Sequence, residues 1–189
     1  MLRLSEKADS LMHKVQSTAV VRWMADRDLA VCGALNRMSR PPKIKKFFVV
    51  VSWLGDGKAW YLLMVALPLL YGDKGATTSW AMVQVGFLNF ALYRMIKRVT
   101  GRARPCAVSA DITLGTAPLD QYSFPSGHTM HAVAFSLVVM AHHPEFAGVL
   151  MAFSSLIASS RIILGLHYPT DVVAGGLIGG YVASVWLTP

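Results

Sequence analysis

The chain has 189 residues, of which 54% are hydrophobic and 15% are charged, and its formal net charge is +8. Soluble domains usually carry about 25% charged residues, so this composition argues against a soluble enzyme and favours a membrane protein. The basic residues do not form a stripe with interleaved aromatic residues, which argues against nucleic acid as a partner.

Residues 1–42 mix polar and apolar side chains. Apolar residues recur there at approximately helical spacing, as at Leu11, Val15, Val20 and Met24. This pattern predicts an amphipathic helix on the membrane surface, and the alternative is a helix that packs on the protein core. Pro41 and Pro42 end the region. We therefore divide the chain into a membrane-surface segment, 1–42, and a membrane domain, 43–189.

Five apolar blocks of the second part are predicted to cross the membrane as helices. Their approximate bounds are 59–71, 79–96, 128–141, 146–164 and 170–187. The predicted fold class is therefore all-α, a polytopic membrane helical bundle with about five transmembrane helices and an N-terminal amphipathic segment. The polar segment 97–127 contains several prolines and charges, and a connection of this length predicts a functional role.

The last apolar block contains glycines spaced four positions apart. They are Gly175, Gly176, Gly179 and Gly180. Small residues at this spacing allow two helices to approach closely. The glycine face therefore predicts close packing inside the bundle or, as the alternative, a homodimer interface.

Three polar clusters fall at the same ends of the predicted spans. They are Lys97 with Arg104, then Ser126, Gly127 and His128, then Arg161, His167 and Asp171. Because successive helices run in opposite directions, all three clusters are expected at one membrane face. Cations near hydrocarbon are costly without a partner, so this collection predicts an anionic ligand, and phosphate fits.

The spacing within the clusters suggests how such an anion would be handled. Ser126 and Gly127 precede a helix, whose unpaired N–H groups and positive dipole end suit an anion. Asp171 follows His167 by four positions and can hold one imidazole nitrogen while the other faces phosphorus. His128 is suited to protonate a departing alkoxide, since its ordinary pKa lies near neutrality.

Together the clusters resemble the three-part signature of the type-2 phosphatidic acid phosphatase superfamily. The matching motifs are Lys97-x6-Arg104-Pro105, Pro125-Ser126-Gly127-His128, and Ser160-Arg161-x5-His167-x3-Asp171. The superfamily includes lipid phosphate phosphatases, soluble bacterial acid phosphatases and vanadium haloperoxidases. The resemblance extends from about Phe47 to the C-terminus. It implies that 43–189 form the membrane domain of a lipid phosphatase.

The resemblance also implies a role for each matching residue. Those expected to bind the phosphoryl oxygens are Lys97, Arg104, Ser126, Gly127 and Arg161. His167 would be the nucleophile that becomes phosphorylated, Asp171 would orient it, and His128 would be the general acid. No metal or other cofactor is expected. The substrate would be phosphatidic acid, phosphatidylglycerol phosphate, or a polyprenyl phosphate or diphosphate, held among membrane lipids.

Several residues outside the signature have less specific expectations. His131 is predicted to be structural or to line the entrance, while His142 and His143 are predicted to be solvated turn residues. Arg102 either touches substrate or lies in a solvated loop. The cysteines, Cys32 and Cys106, lack metal-ligand spacing and are predicted to be free thiols.

The basic residues also bear on topology. Of the 18 Lys and Arg residues, 11 lie in residues 1–58, and Lys74 alone is expected on the side opposite the site. The positive-inside rule then predicts a multi-pass protein of the cell membrane with its site on the cytoplasmic face. Should 10–36 cross the membrane, the site would face outward. The rival functions are a vanadate-binding peroxidase and a non-catalytic transporter or lipid-binding protein.

Overall fold

The structure is a computed structural model that describes residues 19–187, so the predicted helical positions Leu11 and Val15 lie outside the described residues. Seven α-helices occur in this range: α1 Ala19–Asn36, α2 Pro42–Trp53, α3 Ala59–Thr100, α4 Pro105–Val108, α5 Gly127–His142, α6 Ala147–Ile163 and α7 Pro169–Leu187. A π-helical turn, Leu54–Lys58, joins α2 to α3. The predicted all-α fold is confirmed.

Helix α3 is two antiparallel arms rather than one rod. Gly72 has φ 57° and ψ −133°, a combination that only glycine adopts readily, and the chain reverses there. The Ser79 hydroxyl donates to the Met64 carbonyl oxygen at 2.8 Å across the two arms. Gly75 lies so close to the other arm that a Cβ would come within 2.0 Å of the Leu67 carbonyl oxygen. This hairpin corresponds to the first two predicted spans and their turn.

Three segments of the described chain are long and apolar enough to cross a membrane, namely Pro42–Val108, Pro144–Ile163 and Pro169–Leu187. The first contains α2 and both arms of α3. Helix α5 has 16 residues, which is short for a crossing. The polytopic helical bundle is therefore confirmed, while the count of five crossings stays a prediction.

Helix α5 lies at the centre of the bundle and packs against α3, α6 and α7. Buried residues of these helices, including Trp60, Met82, Val138 and Ile157, form the main core. Large apolar side chains also cover the outside, such as Leu69, Phe87 and Leu177. Such an apolar surface is favourable in contact with lipid and unfavourable in water, which agrees with a membrane protein.

The glycine face of α7 packs against α5 within the chain. A Cβ at Gly175 would lie 2.5 Å from the Ser126 carbonyl oxygen, and one at Gly179 would lie 2.2 Å from that of Met130. The glycines thus serve close packing inside the bundle, the first of the two expectations. They do not offer a free face to a second copy, and a homodimer stays a prediction.

Helix α1 has one buried polar face, and its exposed residues are apolar and charged. Asp28, Cys32 and Asn36 are buried against the end of α6 and the start of α7, while Trp23 and Val31 are exposed. The described part of α1 therefore packs on the protein core, and its exposed side carries Asp26 and Arg27 beside the apolar residues. The division at residue 42 stays a prediction.

Candidate active site

Six of the eight predicted site residues line one cavity of about 430 Å³. They are Lys97, Arg104, Gly127, His128, Arg161 and His167. Asp171 lies behind His167, and the Ser126 hydroxyl hydrogen bonds with the Thr129 hydroxyl at 3.0 Å. The structure thus brings the three remote clusters to a single place, at one end of the helices.

The turn between α6 and α7 aims His167 into the cavity. Gly165 adopts φ +71°, and a Cβ there would meet Ile112 at 2.8 Å. The backbone N–H of His167 donates to the Arg161 carbonyl oxygen at 3.0 Å, which fixes the turn. The ring then places Nδ1 3.6 Å from Asp171 Oδ2 and Nε2 3.3 Å from Arg104 Nη1.

Asp171 is held in the first turn of α7. Its Oδ2 accepts a hydrogen bond from the Tyr168 backbone N–H at 2.9 Å, and the side chain is completely buried. A buried carboxylate next to Nδ1 favours the tautomer that carries the proton on Nδ1. That tautomer leaves the lone pair of Nε2 toward the cavity.

His167 is protected from protonation. Burial lowers its pKa well below the ordinary value, and the nearby charges of Arg161, Arg104 and Lys97 lower it further. The imidazole is therefore neutral at neutral pH. A neutral ring whose Nε2 carries a lone pair is the form that can attack phosphorus.

Two of the three cations share one carboxylate from the long loop between α4 and α5. Lys97 Nζ donates to Asp120 Oδ1 at 2.8 Å, and Arg104 Nη2 donates to the same oxygen at 2.7 Å. Burial alone would raise the pKa of Asp120, but the hydrogen bond and charge of Lys97 and the charge of Arg104 bring it below its ordinary value. Asp120 is thus an anion at the predicted phosphate site.

The third cation, Arg161, has one N–H group without a hydrogen-bond partner among the described residues. One of its Nη atoms donates to the Ser52 hydroxyl, while its Nε is buried and has no hydrogen-bond partner within residues 19–187. The side chain is only 3% exposed. An unpaired donor of a buried cation beside a cavity calls for an anionic acceptor.

The start of α5 forms the remaining part of the predicted phosphate site. Gly127 is the first residue of the helix and lines the cavity. The Ser126 backbone N–H donates to the Asp171 carbonyl oxygen at 3.0 Å, so it ties α5 to α7. Since the Ser126 hydroxyl also has a protein partner, phosphate binding by Ser126 stays a prediction.

His128 has a carboxylate partner that the sequence motifs do not reveal. Its Nε2–H donates to Asp56 Oδ1. Asp56 belongs to the π-helical turn, where Gly57 adopts φ +113°. Two glycines flank this carboxylate between apolar helices, a pattern typical of a simple helix interruption. The cost of a charge at the edge of hydrocarbon was the signal that it has a partner.

Arg102 lies in the loop between α3 and α4 with its side chain 28% exposed, but it is ion-paired rather than simply solvated, and contact with substrate stays a prediction. Its guanidinium forms ion pairs with Asp28 and Asp171, each at 2.6 Å, and stacks 3.9 Å from the ring centroid of Tyr168. Sequence patterns do not reveal this role because the partner Asp28 is 74 residues away along the chain.

The other histidines also have definite places. His143 is completely buried and its ring lies 4.5 Å from that of Tyr71, so its expected solvation was wrong. His131 lines the cavity and hydrogen bonds through Nδ1 with the Gly127 carbonyl oxygen at 2.8 Å. This agrees with a structural and entrance-lining role.

The cavity changes character along its length. One wall carries the cations and histidines, whereas the other is apolar and aromatic, formed by Trp60, Tyr61, Met64, Phe87, Phe90 and Phe135. Tyr61 and Phe87 are also exposed on the outer surface of the bundle. A charged end joined to an apolar end matches the shape of an amphiphile.

Several known proteins resemble this chain in sequence and fold. The PAP2 superfamily model matches residues 76–188. Lipid A 1-phosphatase of Rhizobium etli is 26% identical over 75% of this chain and 69% of its own length. Decaprenylphosphoryl-5-phosphoribose phosphatase of Mycolicibacterium smegmatis is 33% identical over 66% of this chain and 67% of its own length. The chain thus spans about two thirds of these relatives.

A solved structure shares the fold. The transmembrane PAP2 type phosphatidylglycerolphosphate phosphatase of Bacillus subtilis aligns with a TM-score of 0.73 and 21% identity, over 93% of this chain and 89% of that one. The family model covers more than half of the chain and includes all three clusters. The chain therefore belongs to the PAP2 superfamily and is a membrane phosphatase of lipid phosphates.

Proposed function

We propose that this phosphatase acts without a metal ion, through a covalent phosphate on His167 Nε2. The observation that supports this most directly is the orientation of one ring. Its Nδ1 lies 3.6 Å from the buried carboxylate of Asp171, and its Nε2 faces the cavity 3.3 Å from an Arg104 nitrogen. This is the arrangement of a nucleophile with its orienting group.

In the first step, His167 Nε2 attacks phosphorus and the bond from phosphorus to the lipid oxygen breaks. His128, protonated on both ring nitrogens, gives one proton to that departing oxygen and becomes neutral, while Asp56, which accepts a hydrogen bond from Nε2, holds the ring in position. Charge on the three phosphoryl oxygens is stabilised by Lys97, Arg104 and Arg161 and by the N-terminus of α5. These groups supply the charge that a metal would otherwise provide.

In the second step, water attacks the phosphorus of phospho-His167. His128, now neutral, accepts the proton of that water, and the bond from Nε2 to phosphorus breaks. Inorganic phosphate leaves, and both histidines return to their starting states. Asp171 stabilises the proton on Nδ1 throughout.

We also propose that the substrate is a lipid phosphate whose tail lies along the aromatic wall of the cavity. Phosphatidic acid, phosphatidylglycerol phosphate and polyprenyl phosphates or diphosphates all have a compact phosphate and a long apolar chain. The two curated relatives act on a lipid A phosphate and on a decaprenyl-linked ribose phosphate, which supports the lipid class.

The deciding experiment measures phosphate release from a panel of these lipids in detergent with a chelator present. Wild type should release phosphate, while His167→Ala should lose at least about 10³-fold in rate because the nucleophile is gone. His142→Ala, at the far end of α5, is the matched control and should behave as wild type. Rapid alkaline quench should also trap phosphate on wild type and not on His167→Ala.

Two results would overturn the proposal. One is lipid binding by wild type without phosphate release, as expected of a transporter or lipid-binding protein. The other is undiminished phosphate release by His167→Ala.

A further inference from the structure

One polar face of helix α1 contacts the turn between α6 and α7, which carries His167. Asp28, Cys32 and Asn36 are spaced four residues apart, so they lie on the same side of the helix, and all three are buried. Asn36 Nδ2 donates to the Ile163 carbonyl oxygen at 2.9 Å, and Cys32 Sγ lies 3.7 Å from the His167 carbonyl oxygen. A polar face on a helix beside lipid is costly, and here it is used to hold the turn that carries the nucleophile.

Asp28 acts on the start of α7. Its Oδ1 accepts the Thr170 backbone N–H at 3.0 Å, and its Oδ2 accepts the Thr170 hydroxyl. The first N–H groups of a helix lack partners within the helix, so Asp28 caps α7 from another part of the chain. Asp171 is the next residue along.

Arg102 connects Asp28 to Asp171. Its Nη2 donates to Asp28 Oδ2 at 2.6 Å, and its Nη1 donates both to Asp171 Oδ1 at 2.6 Å and to the Thr170 hydroxyl at 2.8 Å. A guanidinium is planar and its donors are fixed relative to one another. Because Asp28 holds Nη2, the position of Nη1 against Asp171 is also fixed.

This connection matters because Asp171 is completely buried. A buried carboxylate stays charged only when it is paired and hydrogen bonded. Arg102 pairs with Oδ1, and the remaining oxygen, Oδ2, is the one that lies 3.6 Å from His167 Nδ1. A shift of the guanidinium would therefore turn the carboxylate relative to the nucleophile.

We propose that Asp28 is a positioning residue for the reaction, which holds Arg102, and through it Asp171, in the orientation that aims His167 at phosphorus. The inference rests on the proposed function, in which His167 is the nucleophile. It assigns to the N-terminal helix a part in catalysis, although that helix lies outside the three signature motifs.

The test compares Asp28→Asn with Asp26→Asn, an exposed carboxylate on the same helix. Asparagine keeps the size of the side chain but removes the charge that holds Arg102. Rapid quench should show phosphate transfer to His167 slowed about tenfold, with KM changed less than about twofold. The amplitude of the phosphoenzyme burst should stay at the wild-type level. Asp26→Asn should match wild type in every measurement.

A double-mutant cycle tests the route through Arg102. If Asp28 acts through the guanidinium, Asp28→Asn should add no further loss to Arg102→Ala. Independent effects, which multiply, would overturn the inference. A normal transfer rate in Asp28→Asn, or a lower burst amplitude at an unchanged rate, would overturn it as well, since the second result is that of a structural residue.

The same measurements separate this inference from the function beneath it. Absence of phosphoenzyme in wild type, or activity in His167→Ala, would remove the proposed function and the inference together. A normal wild-type burst that Asp28→Asn reproduces would remove the inference alone.

Discussion

At the scale of single residues, Asp120 lies at the predicted phosphate site. Its Oδ1 accepts hydrogen bonds from both Lys97 and Arg104, two of the three cations of the site. A phosphate that binds these cations must displace the carboxylate or share them with it. We therefore propose that Asp120 lowers the affinity of the free site for anions and keeps the buried cations paired when no substrate is bound.

Replacing Asp120 with Asn should tighten phosphate binding. The Ki for inorganic phosphate, measured as a competitive inhibitor, should fall by up to about fivefold, since partly exposed ion pairs contribute about 0.2–1 kcal/mol. Because the pKa of Asp120 is lowered, the carboxylate is ionised throughout the range from about pH 5 to pH 8, and the effect should be constant there.

The control for Asp120 is Asp111→Asn in the same loop, where the side chain is exposed. This variant should leave the Ki as it is in wild type. An increase of Ki in Asp120→Asn would mean that the carboxylate helps to organise the cations rather than competing with substrate.

At the scale of elements, α7 contacts α5 through glycines, and two of these, Gly176 and Gly179, have different neighbours. A Cβ at Gly179 would lie 2.2 Å from the Met130 carbonyl oxygen, which is backbone and cannot turn aside. A Cβ at Gly176 would meet only side-chain methyl groups, at 3.8 Å and beyond. Gly176 can therefore accept an added methyl group, whereas Gly179 on the same helix cannot.

Gly179→Ala should therefore destabilise the protein by about 1–3 kcal/mol, because the helices must separate. Gly176→Ala should leave stability unchanged or raise it by up to about 1 kcal/mol through higher helix propensity. Thermal unfolding of both variants in one detergent gives the comparison. Equal Tm values for the two variants would contradict the close packing of α5 and α7.

The π-helical turn Leu54–Lys58 is the second element that shapes the site. Gly55 packs against Ile157, and a Cβ would lie 3.1 Å from that side chain. Close packing of the turn on α6 places Asp56 opposite His128 and, one turn earlier, Ser52 opposite Arg161. The end of α2 and the turn that follows it thus provide partners for two site residues, Arg161 and His128.

At the scale of the whole molecule, we propose a multi-pass protein of the cell membrane with its site on the cytoplasmic face. The N-terminal region carries 11 of the 18 Lys and Arg residues. Helix α1 packs through Asp28 beside the turn between α6 and α7, so the adjacent Arg27 lies at the same end of the bundle as His167. The positive-inside rule then favours the cytoplasm for that end.

Cysteine labelling tests the orientation. With Cys32 and Cys106 replaced by Ala, single cysteines would be introduced at Ala110, near the site, and at Glu145, at the other end of α5. An impermeant thiol reagent applied to intact cells should label the Glu145→Cys variant and not the Ala110→Cys variant. The opposite pattern would place the active site outside the cell.

The sequence alone was sufficient for the helical class, the membrane location and the family. Charge-poor blocks of sequence predict membrane-spanning helices because hydrocarbon excludes charge. Motifs such as Pro125-Ser126-Gly127-His128 predict local geometry because the spacing of residues on a helix is fixed. These signals act over a few residues. Together with the alternation of helix direction, they predict Lys97, Arg104, Arg161 and the two histidines at one end of the bundle.

Only the tertiary structure decided the partners of those residues. Asp28 meets Thr170 across 142 positions, Asp56 meets His128 across 72, and Asp120 meets Lys97 across 23. No periodicity in the sequence relates such pairs, since their contact depends on how helices pack rather than on how one helix turns. The chemistry of the site is therefore local in the sequence, whereas the control of its charges arises from contacts between distant parts of the chain.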